Sequence, residues 1–169
     1  MLYDGQLADS YQAQNAPQVT ATENRERSAP FSFGSDSSRS QIDIHKFVAK
    51  LKSISGNYST AKCAKSVRIA LQSAGAKIQS HPIAASDWGD TLTKIGYRQI
   101  QPAFDHPQKG DIYIIKRTPN HVYGHIAGYS GSQWISDFKQ PSYAVYKDNN
   151  VQYTYYRPTD KNNNDSDPD

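Results

Sequence analysis

The sequence predicts an α+β domain in which N-terminal helices pack on an antiparallel β-sheet. Two observations predict this class. Apolar residues recur at helical spacing between positions 40 and 96, whereas short runs rich in Val, Ile and Tyr, separated by turn residues, occupy 112–157. Helices grouped ahead of strands are typical of α+β domains, because the two alternate along the chain in doubly wound folds.

Three helices are predicted in the first part of the chain. Each begins at a residue that can cap a helix and ends at a glycine, which readily adopts the backbone conformation of a helix terminus. The pairs of cap and terminator are Ser40 and Gly56, Ser59 or Thr60 and Gly75, and Ser86 and Gly96.

Strands are predicted at 112–116, 125–129, 133–138, 143–147 and 151–157, joined as an antiparallel meander. The turn residues at 130–132 between the second and third of these runs predict a hairpin. This hairpin matters for the site, because it sets which residues of the two strands face one another.

The chain divides into a domain and two arms. Residues 40–159 form the predicted domain, 1–39 a poorly ordered arm, and 160–169 a disordered acidic tail. The start of the chain lacks the basic and apolar regions of a secretory signal, and no apolar stretch approaches the ~20 residues of a spanning helix. We therefore expect a protein made in the cytoplasm without a signal peptide and without stable membrane association. The net charge of +3 selects no particular anionic partner.

Cys63 is the candidate nucleophile. It is the single cysteine, which excludes an intramolecular disulfide and a cysteine-based zinc site. Its predicted position in the first turn of a helix places the thiol near free backbone N–H groups and the positive end of the helix dipole, and both lower a thiol pKa. The same N–H groups are suited to an oxyanion hole. The alternative interpretation is a small apolar core residue.

His125 is the candidate base among the five histidines. It opens an apolar strand, and Gly124 before it leaves room for another group to approach. His121 remains an alternative base. A metal site at these two histidines would need a helix to bring both side chains onto one face, and Pro119 and Gly124 argue against a helix there. We expect no metal and no cofactor.

The hairpin register decides the partner of His125. With a three-residue loop at 130–132, Asp137 lies directly opposite His125 and can orient its imidazole. A two-residue loop places Ser136 there and turns Asp137 to the other face. The sequence leaves the choice open.

Three motifs, in this order, resemble the NlpC/P60 and CHAP group of papain-like cysteine peptidases. The motifs are 63–68 at a helix start, 109–112 opening a strand, and 124–127 opening the next strand, and the resemblance covers 42–157. It implies a papain-like fold and hydrolysis of an amide bond in peptidoglycan by Cys63, His125 and Asp137, the polar residue on the strand after the histidine. The family often has a tyrosine near the nucleophile, and Tyr58 is the candidate for substrate binding.

The sequence shows neither a secretory signal nor a wall-binding repeat. In both respects it is similar to the peptidoglycan amidase effectors of type VI secretion. The resemblance then implies an antibacterial toxin that acts in the periplasm or cell wall of a target bacterium. Its partners would be the peptidoglycan stem peptide, a cognate immunity protein and a component of the secretion apparatus, with the chain itself a monomer. A phage-type endolysin of the same chemistry shares both absences and is the alternative, although the effector is favoured.

Two further functions are considered. A lipid acyltransferase of related fold would need an apolar, membrane-facing segment, which the sequence lacks. A non-enzymatic module that binds the cell wall or a nucleic acid could use the twelve tyrosines for stacking. Half-buried sheet positions explain the tyrosines more simply, so no nucleic-acid partner is expected.

Overall fold

The computed structural model describes residues 42–159 and confirms the predicted α+β class, with helices and an antiparallel sheet. The predictions for the arm at 1–39 and the tail at 160–169 lie outside the described residues. Over the described range, no helix combines the length and the apolar character that crossing a bilayer requires.

Two packed helices follow the predicted apolar spacing. Helix α1 spans Ile44–Ile54 and helix α2 spans Cys63–Ser73. The cap of α1 is Asp43 and not Ser40, because the Asp43 carboxylate accepts a 3.0 Å hydrogen bond from the backbone N–H of Lys46. The side chains that α1 buries are Phe47, Val48 and Leu51.

The start of α2 differs from the prediction. Lys62 is its N-cap residue and makes no capping hydrogen bond with its side chain, so neither Ser59 nor Thr60 caps the helix. Cys63 is nevertheless the first helical residue, as its predicted place in the first turn requires. A 3₁₀-helix at Ala85–Asp87 and helix α3 at Gly89–Lys94 form the predicted third helical segment.

Five antiparallel strands form one sheet in the order β1-β5-β2-β3-β4. The strands are β1 Tyr97–Ile100, β2 Ile112–Ile115, β3 His125–Tyr129, β4 Trp134–Ile135 and β5 Tyr153–Pro158. The sheet is not the predicted meander, because β5 returns to lie between β1 and β2. A pairing of this kind joins distant parts of the chain, and no local pattern encodes it.

Two other strand predictions were wrong. The sequence analysis missed β1, whose four residues bury only Tyr97 fully and so show no clear alternation. The segment 143–147 forms no strand. The Tyr143 ring instead stacks on Phe104 with ring centroids 3.8 Å apart, and its carbonyl accepts a 2.8 Å hydrogen bond from the Tyr113 hydroxyl.

The sheet buries both of its faces. One face packs with the helices in the main core, and its strand residues include Ile112, Ile114, Ile126 and Ile135. The other face holds an aromatic cluster around Phe104, with Tyr113, Trp134 and Tyr155 among its members. The continuous burial of β2 follows from this arrangement and explains its unbroken apolar sequence.

The motif at 109–111 has a structural role in this fold. Asp111 is fully buried at the start of β2, and its carboxylate accepts two hydrogen bonds from Arg157, at 2.9 and 2.8 Å, and one of 2.6 Å from the Tyr155 hydroxyl. A bidentate pair of this kind fixes both position and orientation. It therefore fastens the start of β2 to β5.

We predict that Asp111→Ala lowers the free energy of unfolding by about 3–5 kcal/mol, because it leaves the Arg157 guanidinium without its buried partner. Urea denaturation of the variant measures the loss. Asp105→Ala is the matched control, since its side chain is 83% exposed, and it should change stability by less than about 0.5 kcal/mol. Equal effects of the two substitutions would contradict the assigned role of Asp111.

Candidate active site

The short strand β4 pairs with only the end of β3. β4 pairs with Gly128 and Tyr129 alone, so between positions 42 and 159 no strand lies beside 125–127 on that side. On the other side His125 pairs with Ile115 of β2. His125 therefore lies at a strand start that is paired on one side only, and its side chain is buried.

The observed hairpin register corrects the predicted one. Tyr129 pairs with Trp134, so the loop contains the four residues 130–133. The Ser130 hydroxyl stabilises this longer loop by accepting a 3.1 Å hydrogen bond from the backbone N–H of Gln133. The predicted pairing of His125 with Asp137 is wrong, because β4 ends at Ile135 and the chain turns away before Asp137.

Asp137 lies in that turn and binds the segment ahead of α2. It is 4% exposed, and its carboxylate accepts hydrogen bonds from the backbone N–H and the hydroxyl of Thr60, the latter at 2.9 Å, and a longer one of 3.4 Å from the Lys62 backbone N–H. The Asp137 carbonyl also accepts a 2.9 Å bond from the Gly56 backbone N–H. The turn after β4 thereby holds the approach to Cys63 against the sheet.

The hydrogen bonds to Asp137 hold Ala61 in an unfavourable backbone conformation. Ala61 has a φ of 66°, a left-handed conformation that costs a non-glycine residue about 1–2 kcal/mol. Hydrogen bonds to a charged group contribute about 1.5–3 kcal/mol each, so the bonds from Thr60 to Asp137 exceed that cost. The Asp137 carboxylate therefore determines the backbone path that leads into Cys63.

Gln140 is the hydrogen-bond partner of His125. After the turn the chain folds back, and the Gln140 backbone N–H donates a 2.9 Å bond to the Trp134 carbonyl. This places the Gln140 side chain, which is 1% exposed, with its Oε1 atom 2.8 Å from His125 Nε2. A glutamine thus occupies the place beside the imidazole that the sequence analysis gave to Asp137.

The other bonds of Gln140 fix which tautomer His125 adopts. Its Nε2 group donates 3.0 Å bonds to the Tyr113 hydroxyl and to the Ser142 carbonyl, and the Tyr113 hydroxyl itself donates to the Tyr143 carbonyl. Both amide hydrogens are therefore used, and Oε1 can only accept. His125 must donate from Nε2, which leaves the lone pair of a neutral ring on Nδ1.

Burial lowers the pKa of His125, which is 7% exposed. The hydrogen bond with Gln140 and the charge of Asp137 raise this pKa, whereas the charge of His121 lowers it. Burial is the largest of these effects, so the imidazole stays neutral to lower pH than an exposed histidine. A neutral ring with a lone pair on Nδ1 can accept a proton from a neighbouring acid.

Helix α2, which begins with Cys63, approaches the sheet at β3. The helix packs on β3, and the partly exposed Cys63 packs against the main core. Cys63 also lies within electrostatic range of Tyr113, where it adds to the effect of burial in raising the pKa of the phenol. The Tyr113 ring centroid is 6.2 Å from that of His125. Tyr113 therefore lies near both Cys63 and His125.

His121 has a different partner. Its Nε2 atom lies 3.3 Å from the Asp148 carboxylate, and its ring stacks on Tyr146 with centroids 3.7 Å apart. The Tyr146 ring is in turn 6.1 Å from that of His125. This arrangement ties the loop at 118–121 to that at 146–148 and places a wall of aromatic rings beside the site.

The two remaining predicted features are also located. Gly124 has a φ of 71°, and a Cβ atom there would clash with the Ile115 carbonyl and with Ser86, so a glycine is required before His125. Tyr58 lies in the segment between the two helices and is 79% exposed. It is accessible to a ligand, and the protein itself does not bury it.

Gln140 is the site residue that the sequence analysis missed. It follows the predicted strand 133–138, in a segment without regular periodicity and directly before Pro141. Only the reversal of the chain after β4 brings it to His125. Its single indication in the sequence is a polar side chain next to a proline-containing turn, which is common on protein surfaces.

Comparison with solved structures identifies the family. The chain is similar, at 32% identity and a TM-score of 0.61, to a chain of the type VI effector–immunity complex Tae3–Tai3 from Ralstonia pickettii, covering 69% of this chain and 98% of that one. The chain belongs to the Tae3 family. The selenomethionine form of the same complex gives 32% identity and a TM-score of 0.55, covering 66% and 99%. Protein-family models and curated protein sequences gave no match.

The fold of this Tae3-family chain predicts the titration of His125. In the Cys63→Ala variant, we expect its pKa to lie below 6.5, because burial disfavours the imidazolium. Gln140→Leu should lower the pKa further and Asp137→Asn should lower it less, because both residues raise it and Gln140 has the larger effect. Imidazole C–H chemical shifts followed by NMR against pH measure all three. An increase in Gln140→Leu would contradict the hydrogen bond described above.

Proposed function

We propose that this Tae3-family protein is a peptidoglycan hydrolase, a cysteine amidase or endopeptidase that cleaves an amide bond of the wall peptide as an antibacterial type VI effector. The observation that carries the proposal is a buried His125 whose Nδ1 lone pair is fixed by Gln140, on a strand against which the helix that begins with Cys63 packs. The similarity to Tae3 supports the effector role over the endolysin.

The proposed reaction is acyl transfer through a thioester. Cys63 Sγ bonds to the amide carbonyl carbon while His125 Nδ1 takes the thiol proton. The C–N bond then breaks, and the imidazolium gives that proton to the leaving amine. Water attacks the thioester and passes a proton to His125, which returns it to Cys63 as the acid is released. No cofactor takes part.

Backbone donors at the start of α2 are suited to the oxyanion. The first turn of any α-helix has N–H groups without an intrahelical acceptor, and here the bond from the Ser66 N–H to the Lys62 carbonyl is the first of the helix. We assign the Cys63 N–H as one oxyanion donor. Donors fixed before the reaction are effective because they need no reorganisation as charge develops.

Gln140 and Asp137 share the role that the sequence analysis gave to Asp137 alone. Gln140 orients the His125 ring through a hydrogen bond, and Asp137 stabilises the imidazolium at longer range while it holds the segment before Cys63. Tyr58 is proposed as a substrate contact, because a large exposed aromatic ring ahead of the nucleophile can pack on a peptide. We propose a papain-like NlpC/P60 relationship, with which this order of nucleophile, base and orienting group agrees.

The effector role implies a place of action and two partners. The similar solved structures are effector–immunity complexes, which supports a cognate immunity protein for this chain. We propose that it prevents self-intoxication by covering the surface around the partly exposed Cys63. The protein would act in the periplasm or cell wall of a target bacterium after delivery by a component of the secretion apparatus.

The proposal predicts which products form when the protein digests purified peptidoglycan. Wild type should release fragments with new amine and carboxyl ends, and Cys63→Ala or His125→Ala should lower the rate by about 10⁴-fold or more, because residues that act as one catalytic unit lose most activity singly. Mass spectrometry of the fragments measures the rate and names the bond.

His106→Ala is the matched control for His125→Ala. The His106 side chain is 89% exposed, so this variant should retain wild-type activity. Fragments from folded Cys63→Ala at the wild-type rate would refute the catalytic role of Cys63. If wild type binds sacculi and leaves them intact, and Cys63→Ala binds equally well, the protein is a wall-binding module instead.

A further inference from the structure

Arg68 is a buried cation with part of its guanidinium unused. The residue lies on α2 and is 3% exposed. Its Nη1 atom donates a 3.2 Å hydrogen bond to Gln72 Oε1, whereas Nε and Nη2 are buried and have no partner among the described residues. Buried polar groups are almost always paired, so two unpaired donors on one side chain require an explanation.

A second arginine of this protein shows what the Nε and Nη2 edge of a guanidinium binds. Arg157 uses its Nε and Nη2 atoms to hold the Asp111 carboxylate, at 2.9 and 2.8 Å. These two N–H groups point in parallel and match the two oxygens of a carboxylate. The Nε and Nη2 edge of Arg68 has the identical chemistry, but no residue between 42 and 159 forms a hydrogen bond with it.

The surroundings of Arg68 are positive. Helix α2 contains no acidic residue. Burial lowers the pKa of Arg68, and the charges of Lys62 and Arg68 add to burial in lowering the pKa of Lys65. His81 is also within electrostatic range of Arg68, and its Nε2 atom is buried without a hydrogen-bond partner among residues 42–159. An anion placed here would be attracted by several groups at once.

The cost of burying the charge of Arg68 also favours a binding role. A buried charge without a partner costs several kcal/mol, and replacing such a group with an apolar residue of similar size is often neutral or stabilising. Stability alone therefore gives no reason for an arginine at position 68. A group that lowers stability and lies on the helix that begins with Cys63 is better explained by binding.

The segment that follows α2 is linked to Arg68. Residues 76–84 form neither helix nor strand and carry His81, and Gln72, the partner of Arg68, donates a 3.3 Å bond from its Nε2 group to the Ile78 carbonyl. Because the Nε and Nη2 atoms of Arg68 are buried, a ligand reaches them only when the neighbouring chain shifts.

We propose that the Nε and Nη2 edge of Arg68 is a subsite that binds a carboxylate of the peptide substrate, beside His81 and beneath the segment 76–84. The inference rests on the proposed function, because peptidoglycan stem peptides carry free carboxylates. Arg68 then acts in recognition on the helix that carries the nucleophile, and it takes no part in bond breaking.

The test compares two ligands on the full chain carrying Cys63→Ala. The probes are a synthetic stem tetrapeptide with free carboxylates and the same peptide with its carboxylates converted to carboxamides, and calorimetry gives both dissociation constants. We expect the carboxylate form to bind about tenfold or more tightly, as for a charge-assisted bidentate pair. Adding Arg68→Met should reduce that ratio to about one, whereas adding Arg98→Met, which removes an exposed arginine on β1, should leave it unchanged.

Thermal unfolding separates this role from a structural one. Arg68→Met should keep or raise the Tm, because it removes an uncompensated buried charge. The subsite would be overturned if Cys63→Ala binds the carboxylate and carboxamide peptides equally well. It would also be overturned if the preference for the carboxylate peptide remains when Arg68→Met is added. Should Arg68→Met fail to fold, Arg68→Lys retains the charge without the bidentate fork, and an unchanged ratio in that variant would equally overturn it.

Digestion of sacculi by the active wild type keeps the two proposals apart. Hydrolysis together with a ratio that does not depend on Arg68 would overturn the subsite and leave the hydrolase intact. A carboxylate preference that disappears in Arg68→Met, without any hydrolysis by wild type, would support the subsite and refute the hydrolase.

Discussion

The buried carboxylate of Asp137 joins the two halves of the candidate site. It lies in the turn that ends the sheet, and it holds the backbone of Thr60 and Lys62, from which Cys63 begins its helix. The same turn reverses the chain so that Gln140 reaches His125. One short segment therefore positions both the thiol and the ring beside it, and the strained conformation of Ala61 is tolerated because this contact outweighs its cost.

Some buried charged side chains between residues 42 and 159 have a partner of opposite charge, and others do not. Asp111 and Arg157 satisfy one another at the centre of the sheet, where they maintain the frame. Within the described part of the chain, Arg68 lacks such a partner, on the helix that begins with Cys63. Proteins tolerate locally unfavourable arrangements mainly at functional sites, and the rest of the fold compensates. The stable aromatic core and the antiparallel sheet provide that compensation here.

The parts of the site that follow from local patterns could be predicted from the sequence. Cys63 at a helix start and His125 at a strand start depend on apolar spacing and on glycine positions within a few residues. The partner of His125 could not be predicted, because the register depends on a four-residue loop whose length a central glycine does not reveal. Gln140 and the insertion of β5 into the sheet depend on contacts between distant segments, which periodicity does not encode.

The proposed catalysis depends on a thiol activated by His125, and the rate of Cys63 alkylation tests this most directly. The chain has one cysteine, so iodoacetamide reports on Cys63 alone. Measured against pH on folded protein, wild type should react fast at pH 6, and His125→Ala should react at least about tenfold more slowly there. The same rates for wild type and His125→Ala across the whole pH range would contradict the account.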